Sequence, residues 1–139
     1  MLTAKVRDLI ISPIDIEDEK GFIVPIQQLL SYVPECYALG FSPCHGSTQY
    51  GYTNKTAQEL VLLKLKKKIH SFLLLDVPQT FNADAFALFI RKHADYGFSF
   101  GIKFDESVET IFKTAFENRV MASLSLCISE FGNFKLRVT

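Results

Sequence analysis

A continuously apolar run lies in the middle of the chain. The segment HSFLLLDV, residues 70–77, is apolar without interruption from Phe72 to Leu75. Such a run is typical of a strand buried on both faces, and Asp76 before Val77-Pro78 predicts where it ends. We therefore expect an inner strand here, with helices packed on both sides of it.

Alternation of apolar and polar residues predicts further strands. From Phe98 to Phe104, apolar residues alternate with Ser99, Gly101 and Lys103, so one side of this strand faces the core and the other does not. Residues 120–129 alternate in the same way. After a turn at the sequence FGN, residues 134–138 are predicted to return as an edge strand in a hairpin. A short strand is also expected at residues 36–42.

Apolar spacing of three and four residues predicts helices between these strands. Pro25 is placed to begin one helix and Pro34 to end it. Asn82 is placed to cap another, whose apolar face is expected to comprise Ala85, Phe86, Phe89, Ile90 and His93.

Three more helical segments follow from local signals. Thr56 and Glu59 match a capping box, which predicts a helix to about Lys68 with several lysines in its last turn. Residues 4–11 are expected to end a helix before Ser12-Pro13. Residues 106–119 are predicted to form a helix capped by Ser107. Its apolar side is expected to comprise Val108, Ile111, Phe112, Ala115 and Phe116.

The order of elements indicates the fold class. From residue 36 onward we expect strand, helix, strand, helix, strand, helix, strand, strand, which is an α+β domain with an α/β-like order. At 139 residues the chain fits a single domain, residues 1–139, with a core that needs no disulfide or metal. No repeat or low-complexity linker divides it.

Composition narrows the classes of partner. Fifteen basic residues balance fifteen acidic ones, which gives no general electrostatic reason to expect nucleic acid or an anionic membrane. The three cysteines, Cys36, Cys44 and Cys127, lack disulfide or zinc spacing. The N-terminus does not resemble a signal peptide, and no apolar run is long enough to span a bilayer. We expect a cytoplasmic protein without a bound metal.

Several segments in series resemble the C-terminal domain of FtsZ, the bacterial relative of tubulin. The resemblance covers residues 5–130, roughly. Its segments are RDLIISPIDIE, CYALGFS, TAQELVLLKL, IHSFLLLDV, FSFGIKFDES and RVMASLSLCIS. It implies a four-stranded mixed sheet with helices packed on it, an extra helix between Asp105 and Arg119, and an extra C-terminal strand.

The chain departs from that family in two ways. Its seven glycines form neither a tubulin-type cluster nor a phosphate-binding loop, so we expect no GTP and no other cofactor. In FtsZ, two aspartates after the central helix act on the GTP of the neighbouring subunit. The best register places Glu17 at the first of these positions and Lys20 at the second, and a shifted register places the apolar Phe22 there instead. Because a cation cannot act as a carboxylate base, we expect no GTPase activation.

The resemblance also suggests where a partner binds. The acidic segment with Asp15, Glu17, Asp18 and Glu19 corresponds to the polymer-facing loop. The loop after the first strand of the resemblance carries His45, Tyr50 and Tyr52, and tyrosines suit protein contacts. The leading hypothesis is a non-enzymatic interaction module that binds or regulates a cell-division or cytoskeletal polymer, FtsZ or another tubulin-like protein.

Two alternatives stay open. The first is a small-molecule-binding domain or an enzyme that uses the sheet edge, because Cys44 and His45 are neighbours and Asp76 follows a central strand. A structural subunit of an unrelated assembly is the other, since a fold does not fix a function. Each of these chemistry-bearing residues also has an ordinary structural role: a surface loop for Cys44 and His45, and a strand end for Asp76.

Overall fold

A computed structural model describes residues 7–11, 19–20, 24–43 and 51–139. Within them, strands and helices alternate along the chain. In order, the elements are β1 (Asp8–Ile11), α1 (Ile26–Ser31), β2 (Ala38–Phe41), α2 (Thr56–Val61), β3 (Ile69–Val77), α3 (Ala83–His93), β4 (Ala94–Phe104), α4 (Thr110–Leu124), a 3₁₀ helix (Ile128–Glu130) and β5 (Lys135–Val138). No helix in these ranges is both long enough and apolar enough to cross a membrane.

The strands form one five-stranded sheet in the order β1-β2-β3-β4-β5, and every neighbouring pair is parallel. Each strand therefore pairs only with strands next to it in the chain. The helices follow the same order, because α1 packs on α2, α2 on α3 and α3 on α4. The described elements thus form two layers: the sheet, and a layer of helices on one face of it.

Phenylalanine rings fill the space between the layers. Phe72 of β3 and Phe100 of β4 both contact Phe86 and Phe89 of α3. Further along the sheet, the ring of Phe104 in β4 packs edge-on against α4. Aromatic pairs of this kind stabilise a core by area burial and by ring geometry. These ring contacts are therefore concentrated under β3 and β4, the two longest strands.

The structure confirms the predictions that rest on long, clear periods. Strand β3 is central, β4 alternates as expected, and the strand near residues 36–42 is β2. In α3, the Asn82 side chain accepts a hydrogen bond of 2.8 Å from the Ala85 amide, and the predicted apolar face is buried. Pro25 stands at the N-cap of α1.

The predictions for the N-terminal half of the chain were partly wrong. Described residues 8–11 form a strand, not the end of a helix. The predicted capping box does not form: α2 has Lys55 at its N-cap, the hydroxyl of Thr56 accepts a hydrogen bond from the Thr53 amide, and Glu59 accepts one from the Gln27 amide group. Because α2 ends at Val61, the lysines lie beyond it, not in its last turn.

The C-terminal third differs more. Residues 120–124 continue α4, and no strand forms between 120 and 129. The helix begins at Thr110 with Glu109 at its N-cap, not Ser107, and its buried residues are Phe116, Val120 and Leu124. Ile111 is 80% exposed. These three buried residues are spaced four apart, as on one face of a helix. In this segment that helical spacing prevails over the alternation of serines with apolar residues, which predicted a strand.

The sheet also differs from the expected one. It has five parallel strands instead of four mixed ones, since α4 and the 3₁₀ helix carry the chain back and β5 joins β4 in parallel, not as a hairpin. The prediction that helices cover both sides of β3 was wrong as well. The side chain of Leu73 is 43% exposed on the face opposite the helices.

Candidate functional site

The sheet face away from the helices carries one transverse row of residues from all strands. Register pairs Ile10 with Gly40, Gly40 with Leu73, Leu73 with Gly101, and Gly101 with Arg137. Paired residues on parallel strands share a face, because side chains alternate with period two. Large and small residues thus alternate across the sheet. We call this side of the sheet the open face.

A second row lies two residues earlier on each strand. It pairs Asp8 with Ala38, Ala38 with Ser71, Ser71 with Ser99, and Ser99 with Lys135. Its three central members are small, and its two ends are charged. Together the rows give the open face a flat, mostly small-residue centre, a negative charge at the β1 edge and positive charges at the β5 edge. Lys103 of β4, exposed on the same face, adds a further positive charge on the β5 side.

Two large apolar side chains lie on this face. Ile10 is 81% exposed and Leu73 is 43% exposed. Parallel sheets are usually covered on both faces, because their crossover helices pack on either side. Here the helices contact each other in one series and leave the second face uncovered by any described element. An uncovered parallel sheet with exposed leucine and isoleucine is the strongest indication of a binding surface in this molecule.

The charges at the rims of the open face have no partner within the described residues. The ion pair observed among the described residues is elsewhere: it joins Arg119 of α4 to Asp84 of α3, with two contacts of 2.7 and 2.9 Å. It lies in the helix layer and holds α4 against α3. Asp8, Lys135 and Arg137 are exposed and take part in no such pair among the described ranges.

A second candidate lies at the carboxyl end of β3. Asp76 adopts a left-handed backbone with φ of 53°, an uncommon conformation outside glycine. The Tyr52 hydroxyl donates a hydrogen bond of 2.6 Å to the Leu75 carbonyl. Burial raises the pKa of Tyr52 well above its ordinary value, and the nearby Asp76 charge adds to this. Carboxyl ends of parallel strands are frequent ligand sites.

A third candidate is a groove of about 600 Å³ at the amino ends of the strands. There the Arg7 guanidinium lies 4.6 Å from the ring centre of Tyr37, and that ring stacks on His70 at 5.2 Å. The remaining lining residues are Glu35, Lys67, Lys68 and Asp95. Three cations and two acids are among these lining residues, so the charge of the groove is mixed. It also lies at the end of the sheet opposite to the usual ligand side.

Two buried titratable groups are held neutral. Burial raises the pKa of the Cys36 thiol to about 11, and this thiol donates to the Ala38 carbonyl at 3.2 Å. Burial lowers the pKa of His93 to about 4, assisted by the charges of Lys92 and Lys68. A protonated thiol is a poor nucleophile. Within the described residues no three histidine, cysteine or acidic side chains are grouped to hold a metal ion.

The predicted partner-binding residues fall in different places. Asp15, Glu17 and Asp18 lie outside the described residues, as do His45, Tyr50 and Cys44. Glu19 is exposed in a turn. Tyr52 is only 2% exposed, and its ring packs edge-on against Phe41 at 5.4 Å. Its side chain therefore belongs to the core of this chain and is not presented at the surface.

The open face was not predicted from the sequence. The one sign of the open face in the sequence was the alternation in β4, which indicated that Ser99, Gly101 and Lys103 face away from the core. Neither protein-family models, nor curated proteins, nor solved structures give a match to this chain.

Proposed function

We propose that this protein is a non-enzymatic protein-interaction module that binds its partner through the open face. The observation that supports the proposal is the exposure of Leu73 at the centre of a parallel sheet whose second face is covered by no described element. Apolar surface in such a position gains free energy when a partner removes it from water, about 25 cal/mol for each Å².

The shape and charge of the face also favour a protein partner. Gly40, Ser71 and Gly101 keep the centre flat, so there is no concavity of the kind that small ligands use. An apolar centre bounded by charged residues is the usual anatomy of a protein interface. The buried Cys36 and His93, which are held neutral, give little support to an enzymatic alternative.

The proposal can be tested with two matched variants. Leu73→Glu places a charge on the open face, and Leu88→Glu places the same charge on the helix layer at 47% exposure, close to the 43% of Leu73. Tagged wild-type protein and both variants are used to capture partners from the native host. We expect wild type and Leu88→Glu to capture the same partner and Leu73→Glu to lose it. Equal capture by all three would refute the open face as the binding surface.

The sequence resemblance adds FtsZ, or another tubulin-like polymer, as a proposed partner. Light scattering of polymerising FtsZ, with and without an excess of this protein, tests that identity separately. We expect reduced polymer mass or length, because a module without a nucleotide-bearing face can occupy a filament end without extending it. Unchanged scattering at excess protein would rule out FtsZ.

A small-molecule site at the carboxyl end of β3 is a second candidate, supported by the left-handed backbone of Asp76 beside Tyr52. A thermal-shift screen tests it, because a ligand that binds only the folded state raises the midpoint of unfolding. A screen in which wild type and Asp76→Asn respond equally to every compound would count against this site.

A further inference from the structure

We infer that the open face binds a second copy of this chain, face to face, about a two-fold axis that runs parallel to the strands along β3. This inference rests on the proposed use of the open face and names its occupant. The evidence is the way in which charged and small residues are distributed along the two transverse rows.

The two-fold operation exchanges the edges of the sheet. A rotation about an axis along β3 places β1 of one protomer over β5 of its partner and keeps each residue at its height along the strands. Asp8 and Lys135 occupy the same transverse row at opposite edges. Each Asp8 therefore lies over the Lys135 of the other copy, and the operation forms this ion pair twice.

The same operation matches the uncharged part of the face. Leu73 meets its own copy at the axis, where each can cover the other. Gly40 lies over Gly101, so two positions without side chains leave room for the neighbouring leucines. Ile10 lies over Arg137, whose aliphatic stem can pack on an apolar side chain while its charge stays in water.

The packing angle of two sheets does not prevent these contacts. Face-to-face sheets lie about 10 Å apart with strands turned by about 30°. This angle displaces the edges of one sheet relative to the other by several ångströms. Lys135 and Arg137 have long, flexible side chains that span such an offset, whereas two short side chains would not.

Charge excludes the alternative two-fold arrangement. An axis perpendicular to the strands would place β1 over β1 and β5 over β5. With that axis at the height of the second row, Asp8 would face its own copy and Lys135 would face its own, which is repulsive at both edges. Of these two arrangements, only the one with its axis parallel to the strands places opposite charges of the two copies over each other. A partner of uniform charge would match one edge and oppose the other.

The size of the face sets the expected affinity. Five strands spaced by about 4.8 Å span roughly 20 Å, and the rows in register extend about 13 Å along them. This is small for a protein interface, and small interfaces are usually weak. We therefore expect a dimer that dissociates at micromolar concentrations.

Sedimentation equilibrium of the full chain, from about 1 to about 500 µM, tests the inference at this affinity range. We expect a monomer–dimer equilibrium that Leu88→Glu leaves unchanged and Leu73→Glu abolishes. Circular dichroism of both variants checks that each is folded. A monomer at every concentration, or dimerisation of folded Leu73→Glu equal to wild type, would overturn the inference.

A charge exchange tests the axis itself. Asp8→Lys and Lys135→Asp should each weaken the dimer about tenfold, because each places like charges opposite one another. The double variant should restore the wild-type affinity. A double variant as weak as the single ones would show that Asp8 and Lys135 do not meet, and would overturn the arrangement.

The capture experiment separates failure of this inference from failure of the proposed function. If the chain is monomeric but Leu73→Glu still loses a captured partner, a different protein occupies the open face. The second-copy inference is then wrong and the interaction function stands. If Leu73→Glu changes neither dimerisation nor partner capture, the second-copy inference and the proposed function of the open face are both wrong.

Discussion

The side chain of Leu73 lies across Gly101 on the open face. A Cβ atom built on Gly101 would be 2.9 Å from Cδ1 of Leu73, closer than two such carbon atoms approach. The absence of a side chain at Gly101 therefore lets Leu73 lie flat against β4. This position accounts for a central leucine that is partly, not fully, exposed.

Gly101→Ala should be tolerated by the fold. The backbone of Gly101 is not left-handed, and the atom in the way is the far end of a flexible side chain, so Leu73 can turn aside. We expect the free energy of unfolding in urea to change by less than about 1 kcal/mol. Gly40→Ala is the matched control, because its Cβ would meet Ile10 at an ordinary 3.8 Å. A much larger loss for Gly101→Ala would mean that Leu73 is fixed.

Tyr52→Phe should destabilise the protein without changing its shape. The Tyr52 hydroxyl donates to the Leu75 carbonyl at 2.6 Å, and the ring is buried. Removing the donor deletes a partly buried hydrogen bond, which costs about 1–2 kcal/mol. Urea denaturation of wild type and variant measures this cost. Tyr32→Phe is a control, because Tyr32 is 50% exposed. Equal stability of the Tyr52 variant and wild type would contradict the buried hydrogen bond.

Stability should fall between pH 6.5 and pH 4 because of His93. Its pKa is about 4 in the folded chain and 6.5 when free of its surroundings, so the unfolded chain binds the extra proton in that interval. Stability from this group is complete above pH 6.5 and declines as pH falls, by about 3 kcal/mol in total. Denaturation as a function of pH measures the slope.

His93→Phe should remove most of that slope. The phenyl ring can occupy the place of the imidazole beside Phe89, whose ring centre is 5.2 Å away. The variant also removes the buried Nε2 atom, which has no hydrogen-bond partner within the described residues, so its cost at neutral pH should be small. An unchanged slope between pH 6.5 and pH 4 in the variant would show that other groups cause it.

Gly132→Ala should cost more stability than Gly97→Ala. Both glycines have left-handed backbones, with φ of 61° and 68°, so each alanine carries the same conformational penalty of about 1 kcal/mol. A Cβ at Gly132 would also collide with the ring of Tyr96, whereas nothing lies within 4 Å of one at Gly97. Denaturation should show the excess cost at Gly132, and Tyr96→Ala should reduce it. Equal costs would contradict the contact with Tyr96.

The sequence predicts those elements whose hydrophobic period is long and unambiguous. Asn82 and the apolar face of α3 specify that helix almost completely, and alternation specifies β4. Residues 120–129 satisfy both periods, and a local pattern cannot decide between them. Tertiary packing decides: Phe116 contacts Phe81, Phe86 and Phe104, and this contact continues as a helical stripe.

Strand direction and the candidate site are harder to predict. Alternation tells which side of a strand faces the core, but not whether its neighbour is parallel. The open face consists largely of Gly, Ala and Ser, which carry little signal one by one. They become a surface only when register aligns Gly40, Leu73 and Gly101. Tyr52 shows the reverse case, because an amphipathic ring suits a surface and a core equally well.

The order of the strands has a consequence for how the chain acquires its structure. Each strand needs only the preceding one as a template, so segments emerging from a ribosome can add to the growing sheet in the order of synthesis. Contacts between successive units are close in the chain, which favours fast folding for a parallel topology.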